Sequence, residues 1–97
     1  MVIDSRIKGK DLFLPSGKLF TMEDYDSMFY IQEGKCWICK TPQENLRCKL
    51  AIDHSHKTGL VRGLLCSHCN LGIGNFYDDP IRLKNAITYL KRRLGNK

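Results

Sequence analysis

Apolar residues in this chain fall in short bursts broken by turn chemistry, and in two stretches they keep a helical beat. Asp11-Leu12-Phe13-Leu14 and Lys18-Leu19-Phe20 flank Pro15-Ser16-Gly17, a turn signal that predicts a small hairpin or an extended arm within residues 1–20. Thr21 then has the chemistry of a helix N-cap, with Asp24 three residues on as its capping-box partner. Met22, Tyr25, Met28 or Phe29, and Gln32 follow at helical spacing, and Gly34 is a natural stop. The aromatics Tyr25, Phe29 and Tyr30 are expected in the core. Residues 41–49 read as a loop, broken by Pro42 and Asn45.

Two short apolar runs come next, Leu50-Ala51-Ile52 and Leu60-Val61, joined by Ser55-His56-Lys57-Thr58-Gly59. They predict a β-hairpin or bulged ribbon whose turn needs positive φ at Gly59. Cys66 to Gly72 should form a short helix, loosened at its end by Gly72 and Gly74. The clearest helix is the last. Asp79 can cap it, Pro80 suits its first position, and Leu83, Ala86, Ile87, Leu90 and Leu94 form one apolar stripe before Gly95. Lys84, Lys91, Arg92 and Arg93 lie on its other faces, as a solvated surface or a phosphate track.

Helices flanking a hairpin predict an α+β fold. At 97 residues one domain is expected, with residues 1–20 as an arm or hairpin, 21–90 as the core and 91–97 as a basic tail. A net charge of +6 favours a polyanionic partner. The first residues lack the apolar core of a signal peptide, and no stretch approaches the ~18 apolar residues of a membrane span. The expected location is the cytosol, with no membrane partner.

Composition alone says little about chemistry; the cysteines say more. Cys36 and Cys39 form one C-x2-C, and Cys66 and Cys69 form a second. In a reducing compartment paired C-x2-C motifs favour a metal over disulfides. Four thiolates complete the tetrahedral shell of Zn²⁺ and leave no open position, so such a site is structural. The alternatives are a redox pair, or replacement of one ligand by Cys48 or His68. Cys48 otherwise reads as a buried small side chain or a free thiol, and His68 as a bystander or phosphate contact.

Between the pairs lie Asp53, His54 and His56, and Asn70 directly follows Cys69. Clamping the ribbon by its cysteines brings Asn70 near Asp53 and His54. A carboxylate and an amide carbonyl suit Mg²⁺ or Mn²⁺. His54 can be neutral near pH 7 and accept a proton. A base beside a divalent cation is what metal-assisted phosphodiester hydrolysis requires. On a regular strand Asp53 and His54 would point to opposite faces, so their cooperation demands a bend or bulge. His56 could bind phosphate, assist His54, or be merely exposed.

Asp53-His54-Ser55-His56-Lys57-Thr58-Gly59-Leu60-Val61-Arg62-Gly63-Leu64-Leu65-Cys66-Ser67-His68-Cys69-Asn70, preceded by Cys36-Trp37-Ile38-Cys39 and followed by Gly72, Gly74, Phe76, Asp78, Asp79, Pro80 and Tyr89-Leu90, resembles the recombination endonuclease VII family of bacteriophages and their relatives. That family belongs to the HNH, or ββα-metal, nucleases. The resemblance covers residues 21–90 and implies a zinc-stapled ββα-metal (His-Me finger) domain with flanking helices.

It further implies that Asp53 and Asn70 hold the catalytic Mg²⁺ or Mn²⁺, that His54 is the general base, and that His56 supports the site or the scissile phosphate. Cys36, Cys39, Cys66 and Cys69 would hold structural Zn²⁺. The implied partner is DNA, cut to leave 5′-phosphate and 3′-hydroxyl ends. The best-known member resolves branched DNA as an intertwined dimer with a further C-terminal domain, so a Holliday junction is an expected substrate and a homodimer an expected assembly. A single copy would nick. By charge and position, Lys57 and Arg62 are candidate phosphate contacts. The alternatives are a homing, restriction or packaging-associated nickase, a non-catalytic zinc module that binds nucleic acid, and a zinc-stapled protein adaptor.

Overall fold

Two antiparallel strands carry the middle of the chain, and every other element is placed by its contact with them. The computed structural model describes residues 11–92, in the order α1 (Met22–Ile31), a 3-10 turn (Gln43–Asn45), β1 (Ala51–His54), β2 (Val61–Leu65), α2 (Ser67–Asn75) and α3 (Pro80–Leu90). The start of the predicted arm, residues 1–10, and Leu94 and Gly95 of the predicted last helix lie outside the described residues.

The N-terminal segment is a hairpin rather than an extended arm. Phe13 bridges Leu19 across the Pro15-Ser16-Gly17 turn, and the Phe20 N–H donates to Leu12 O at 2.8 Å. It docks on the ribbon through Phe13, whose N–H donates to Gly59 O and whose carbonyl accepts from the Val61 N–H. Leu12 and Phe20, 0% and 1% exposed, anchor it in the core. Full burial of such side chains is worth about 1.5–3 kcal/mol each.

Thr21 caps α1 as its sequence predicts. Its backbone N–H donates to Asp24 Oδ2 at 2.9 Å, and the Asp24 N–H donates back to Thr21 Oγ1 at 3.4 Å. Glu33 and Gly34 turn the chain out of the helix at positive φ, 57° and 69°. Tyr25 is buried, while Met28 and Phe29 pack on the core. Tyr30 is not a core residue; it is 84% exposed. Five positions from Tyr25 is about 140° around a helix, on the far side from the core.

The ribbon pairs Ala51 with Leu65, Ile52 with Leu64 and Asp53 with Gly63. The register then slips: His54 pairs with Val61, leaving Arg62 as an extra residue on β2. Ser55–Gly59 closes the hairpin, with Gly59 at φ 78° as its turn requires. Side chains cover the ribbon's free edges. Gln32 Nε2 donates to Leu64 O at 3.0 Å while its Oε1 accepts from the Leu64 N–H at 3.0 Å, so one amide stands in for a third strand. On the other strand, the Tyr25 hydroxyl donates to Leu50 O at 2.6 Å, and the Leu50 N–H donates to Gln43 Oε1 at 2.8 Å.

Two helix expectations need correction. α2 does not stop at Gly72 but runs through Gly74 to Asn75. Ile73 packs against the core, and this packing outweighs the poor helix propensity of the glycines. The apolar stripe of α3 is partly covered in its first half and open beyond it. Leu83 and Ala86 are half-buried, but Ile87 and Leu90 are 54% and 78% exposed. α3 ends at Leu90.

Replacing Gln32 with Ala strips the Leu64 N–H of its partner, while Leu64 O keeps the Trp37 N–H at 3.1 Å. The zinc-loaded variant should lose about 1–3 kcal/mol, the cost of one buried backbone donor left unsatisfied. Urea unfolding followed by circular dichroism measures this, and an unchanged midpoint would refute the strand-mimic role.

Candidate active site and metal centre

The first cysteine pair sits in a tight turn after α1, and the second opens α2. The Cys36 N–H donates to Thr41 O, the Lys40 N–H donates to Cys36 O, and Lys40 takes positive φ to close the loop. Cys66 is both a cluster member and the N-cap of α2, its Sγ accepting from the Cys69 N–H at 3.4 Å. A helix N-terminus favours the thiolate form. The sulfurs of Cys36, Cys39, Cys66 and Cys69 all lie within 4.8 Å of one another, with Cys39 and Cys66 3.8 Å apart. Tetrahedral Zn–S bonds of about 2.3 Å put sulfurs about 3.8 Å apart, so the cluster has the size of a four-thiolate zinc shell. Cys48 and His68 are exposed and take no part in it.

Electrostatics point the same way. Hydrogen bonds from the Thr41 hydroxyl and backbone N–H hold the Cys39 thiol down to about 6. Burial works against ionisation of Cys36, yet the N–H groups of Cys39, Cys66 and Ile38 bring its net shift below the ordinary value. Cys69 is pushed up, first by burial and then by the three neighbouring sulfurs. Four thiols this close resist carrying four negative charges, and a dication removes the conflict.

The ribbon leads from this cluster to the acid and imidazoles. Asp53 is buried, 7% exposed, at the point where the strand register slips. The slip is the bulge that the adjacent Asp53 and His54 require. It also delivers Arg62, which grips Asp53 with a fork: Nε donates to Oδ2 at 2.7 Å and Nη2 to Oδ1 at 3.0 Å. Nη2 also donates to Asp78 Oδ2 at 3.1 Å, in the turn between α2 and α3. These contacts, Asp53 first, raise the Arg62 pKa further. His54 is half-buried with its Nδ1 sealed from solvent, and its ring centre lies 5.1 Å from that of exposed His56. Asn70 is half-buried in the first turn of α2, the helix that packs on both strands, and its N–H donates to Cys66 O at 3.0 Å. The contacts made by the Asp53 carboxylate are thus to Arg62, and the backbone bond of Asn70 is to Cys66.

Recombination endonuclease VII is the family whose model matches this chain, over residues 12–92. The chain belongs to the endonuclease VII family. It is 44% identical over 73 residues to the Gene 59 protein of Mycobacterium phage D29, covering 74% of this chain and 44% of that protein. It is 41% identical over 71 residues to the Gene 59 protein of Mycobacterium phage L5, covering 72% and 43%. The chain therefore spans less than half the length of these curated relatives.

Several residues take partners that their place in the sequence does not announce. Arg62, a candidate phosphate contact, grips Asp53 with its guanidinium while its side chain stays 41% exposed. Asp78 stands in the sequence only as part of the family's pattern, with no role attached, and Thr41 only as the start of a loop. The signal for the Arg62 fork is faint: Arg62 lies beside the residue opposite Asp53, and only a bulge brings it across.

As pH falls, protons compete with zinc for the thiols. Below about pH 6, where Cys39 also becomes protonated in the metal-free protein, one more proton should be displaced per zinc bound than above it. Zinc titration calorimetry in buffers of differing ionisation enthalpy measures this number. Cys66→Ser should lose both the metal and cooperative unfolding, since structural zinc is worth about 10–16 kcal/mol.

Proposed function

We propose that this protein is a divalent-cation-dependent DNA endonuclease in which His54 is the general base and Asp53 and Asn70 hold the cation. The bulge at Asp53 and His54, in a ribbon fastened at its other end by the thiol cluster, is the observation that carries this reading. A bulge re-aims side chains that a regular strand would send to opposite faces. The cation in this reading is Mg²⁺ or Mn²⁺, for which the Asp53 carboxylate and Asn70 carbonyl are hard-oxygen donors. Arg62 on both Asp53 oxygens supports it, because that carboxylate already sits in a place built for positive charge. When bound, such a cation stabilises negative charge on the phosphate and leaving oxygen.

His54, fixed by the bulge and flanked by His56, takes a proton from the attacking water. His56, exposed beside it, is positioned to meet a phosphate oxygen. Lys57 extends from the same exposed turn, and the net charge of +6 favours phosphate-driven binding that weakens with salt. Branched DNA is the favoured substrate on the precedent of the family. A homodimer would place two such sites on one junction; a single copy would nick.

His54→Ala should slow cleavage roughly a hundredfold or more, the scale of lost general-base catalysis, while DNA binding and zinc content stay intact. Asp53→Asn and Asn70→Ala should shift the Mg²⁺ requirement upward. The assay incubates zinc-loaded protein and Mg²⁺ with linear, nicked, supercoiled and four-way-junction DNA. Unchanged turnover in His54→Ala defeats the base assignment. Retardation of DNA with no cleavage under any cation leaves only a nucleic-acid-binding module.

A further inference from the structure

The carboxylate proposed to hold the cation is not waiting empty-handed. Its side chain is 9% exposed, and both oxygens are engaged by Arg62. A buried carboxylate needs a compensating charge at all times. In the cation-free protein the guanidinium supplies it.

We propose that Arg62 is a transferable counterion: it neutralises Asp53 until a divalent cation arrives, competes with that cation, and passes its Nη2 end to Asp78 as the cation takes Asp53 Oδ1. This inference rests on the reading of Asp53 as a cation ligand and adds a residue that regulates it.

Four observations support the transfer. Nη2 already lies between the two acids, 3.0 Å from Asp53 Oδ1 and 3.1 Å from Asp78 Oδ2, so moving toward Asp78 breaks one bond and keeps another. Arg62 is the extra residue of the bulge, outside the regular strand pairing, and its side chain is 41% exposed. Its movement therefore disturbs neither ladder nor core. The three side chains line a cavity of about 320 Å³ walled by Trp37, Ile73 and Leu83, which gives the guanidinium room to shift. Asp78 is held for the purpose: its N–H donates to Ile73 O at 2.8 Å, in a turn where Tyr77 and Asp78 both take positive φ.

Competition and simple positioning make opposite predictions. If Arg62 only fixes the Asp53 rotamer, losing it weakens cation binding. If it competes, losing it tightens binding. The test measures Mn²⁺ binding to the zinc-loaded full chain without DNA, by electron paramagnetic resonance of free Mn²⁺, with zinc content checked for every variant. Arg62→Gln should bind Mn²⁺ about threefold to fivefold more tightly, the scale of a half-exposed ion pair. Asp78→Asn removes the second anchor and should weaken Mn²⁺ binding by a similar factor. In the Arg62→Gln background, Asp78→Asn should do nothing more.

Unchanged or weaker binding in Arg62→Gln overturns the proposal. So does an Asp78→Asn loss that persists without Arg62, because Asp78 would then act through its own charge. If Arg62→Gln fails to retain zinc, Asp78→Asn decides alone: weaker binding supports the transfer and unchanged binding overturns it. Asp53→Asn separates the two levels. Mn²⁺ binding that survives in Asp53→Asn removes the underlying cation site and this proposal with it. Binding lost there, with no gain in Arg62→Gln, removes this proposal alone.

Discussion

Four sulfurs within 4.8 Å of one another are the constraint on which the rest of this molecule hangs. They join the turn after α1 to the start of α2, two points thirty residues apart in the chain, with the ribbon between them. A two-stranded hairpin is marginal in water by itself. Here its open end is fixed by the thiol cluster, its edges are covered by Gln32 and Gln43, and its turn is held by the N-terminal hairpin. Because Cys66 also caps α2, the cluster sets where that helix starts, and therefore where Asn70 lies along the ribbon. The thiol cluster and the candidate chemistry are coupled through one backbone segment.

The second theme is the housing of charge in a small protein. Asp53 is buried on the ribbon, and the bulge that frees it from strand alternation is made by the residue that neutralises it. One inserted position, Arg62, thus bends the ribbon and supplies the counterion. Asp78 completes the arrangement from a turn with two successive residues at positive φ. Non-glycine residues rarely take that conformation, and it is retained where surrounding contacts over-determine it. Arg82 contributes such contacts, lying over the Tyr77 ring at 4.6 Å and pairing with Asp79 at 3.3 Å.

The curated relatives are more than twice as long as the stretch they share with this chain. The shared stretch holds the cysteine pairs, the ribbon and the Asp53–Asn70 constellation. The exposed apolar residues of α3, Ile87 and Leu90 among them, lie on the helix farthest along the described chain from the thiol cluster. Among the described residues α3 reaches the body mainly through its first turns, where Leu83 meets the cavity beside Asp53.

What the sequence determined alone was local or close-range in kind. The Thr21–Asp24 capping box, the Pro80 start of α3, the Gly59 turn and each C-x2-C pair follow from chemistry within a few residues; the convergence of the two pairs without Cys48 or His68 came from the fold. Even the need for a bulge was legible, since adjacent residues on a strand cannot otherwise act together. Tertiary structure decided the partnerships. Gln32 reaches thirty-two positions to Leu64, Arg62 reaches across the bulge to Asp53, Tyr30 turns to solvent, and the glycines of α2 stay helical. Hydrogen-bonding and ionic side chains carry no periodicity that names their partners. Their direction is fixed only when burial leaves a backbone group or a carboxylate needing compensation, and that need exists only once the chain has closed around it.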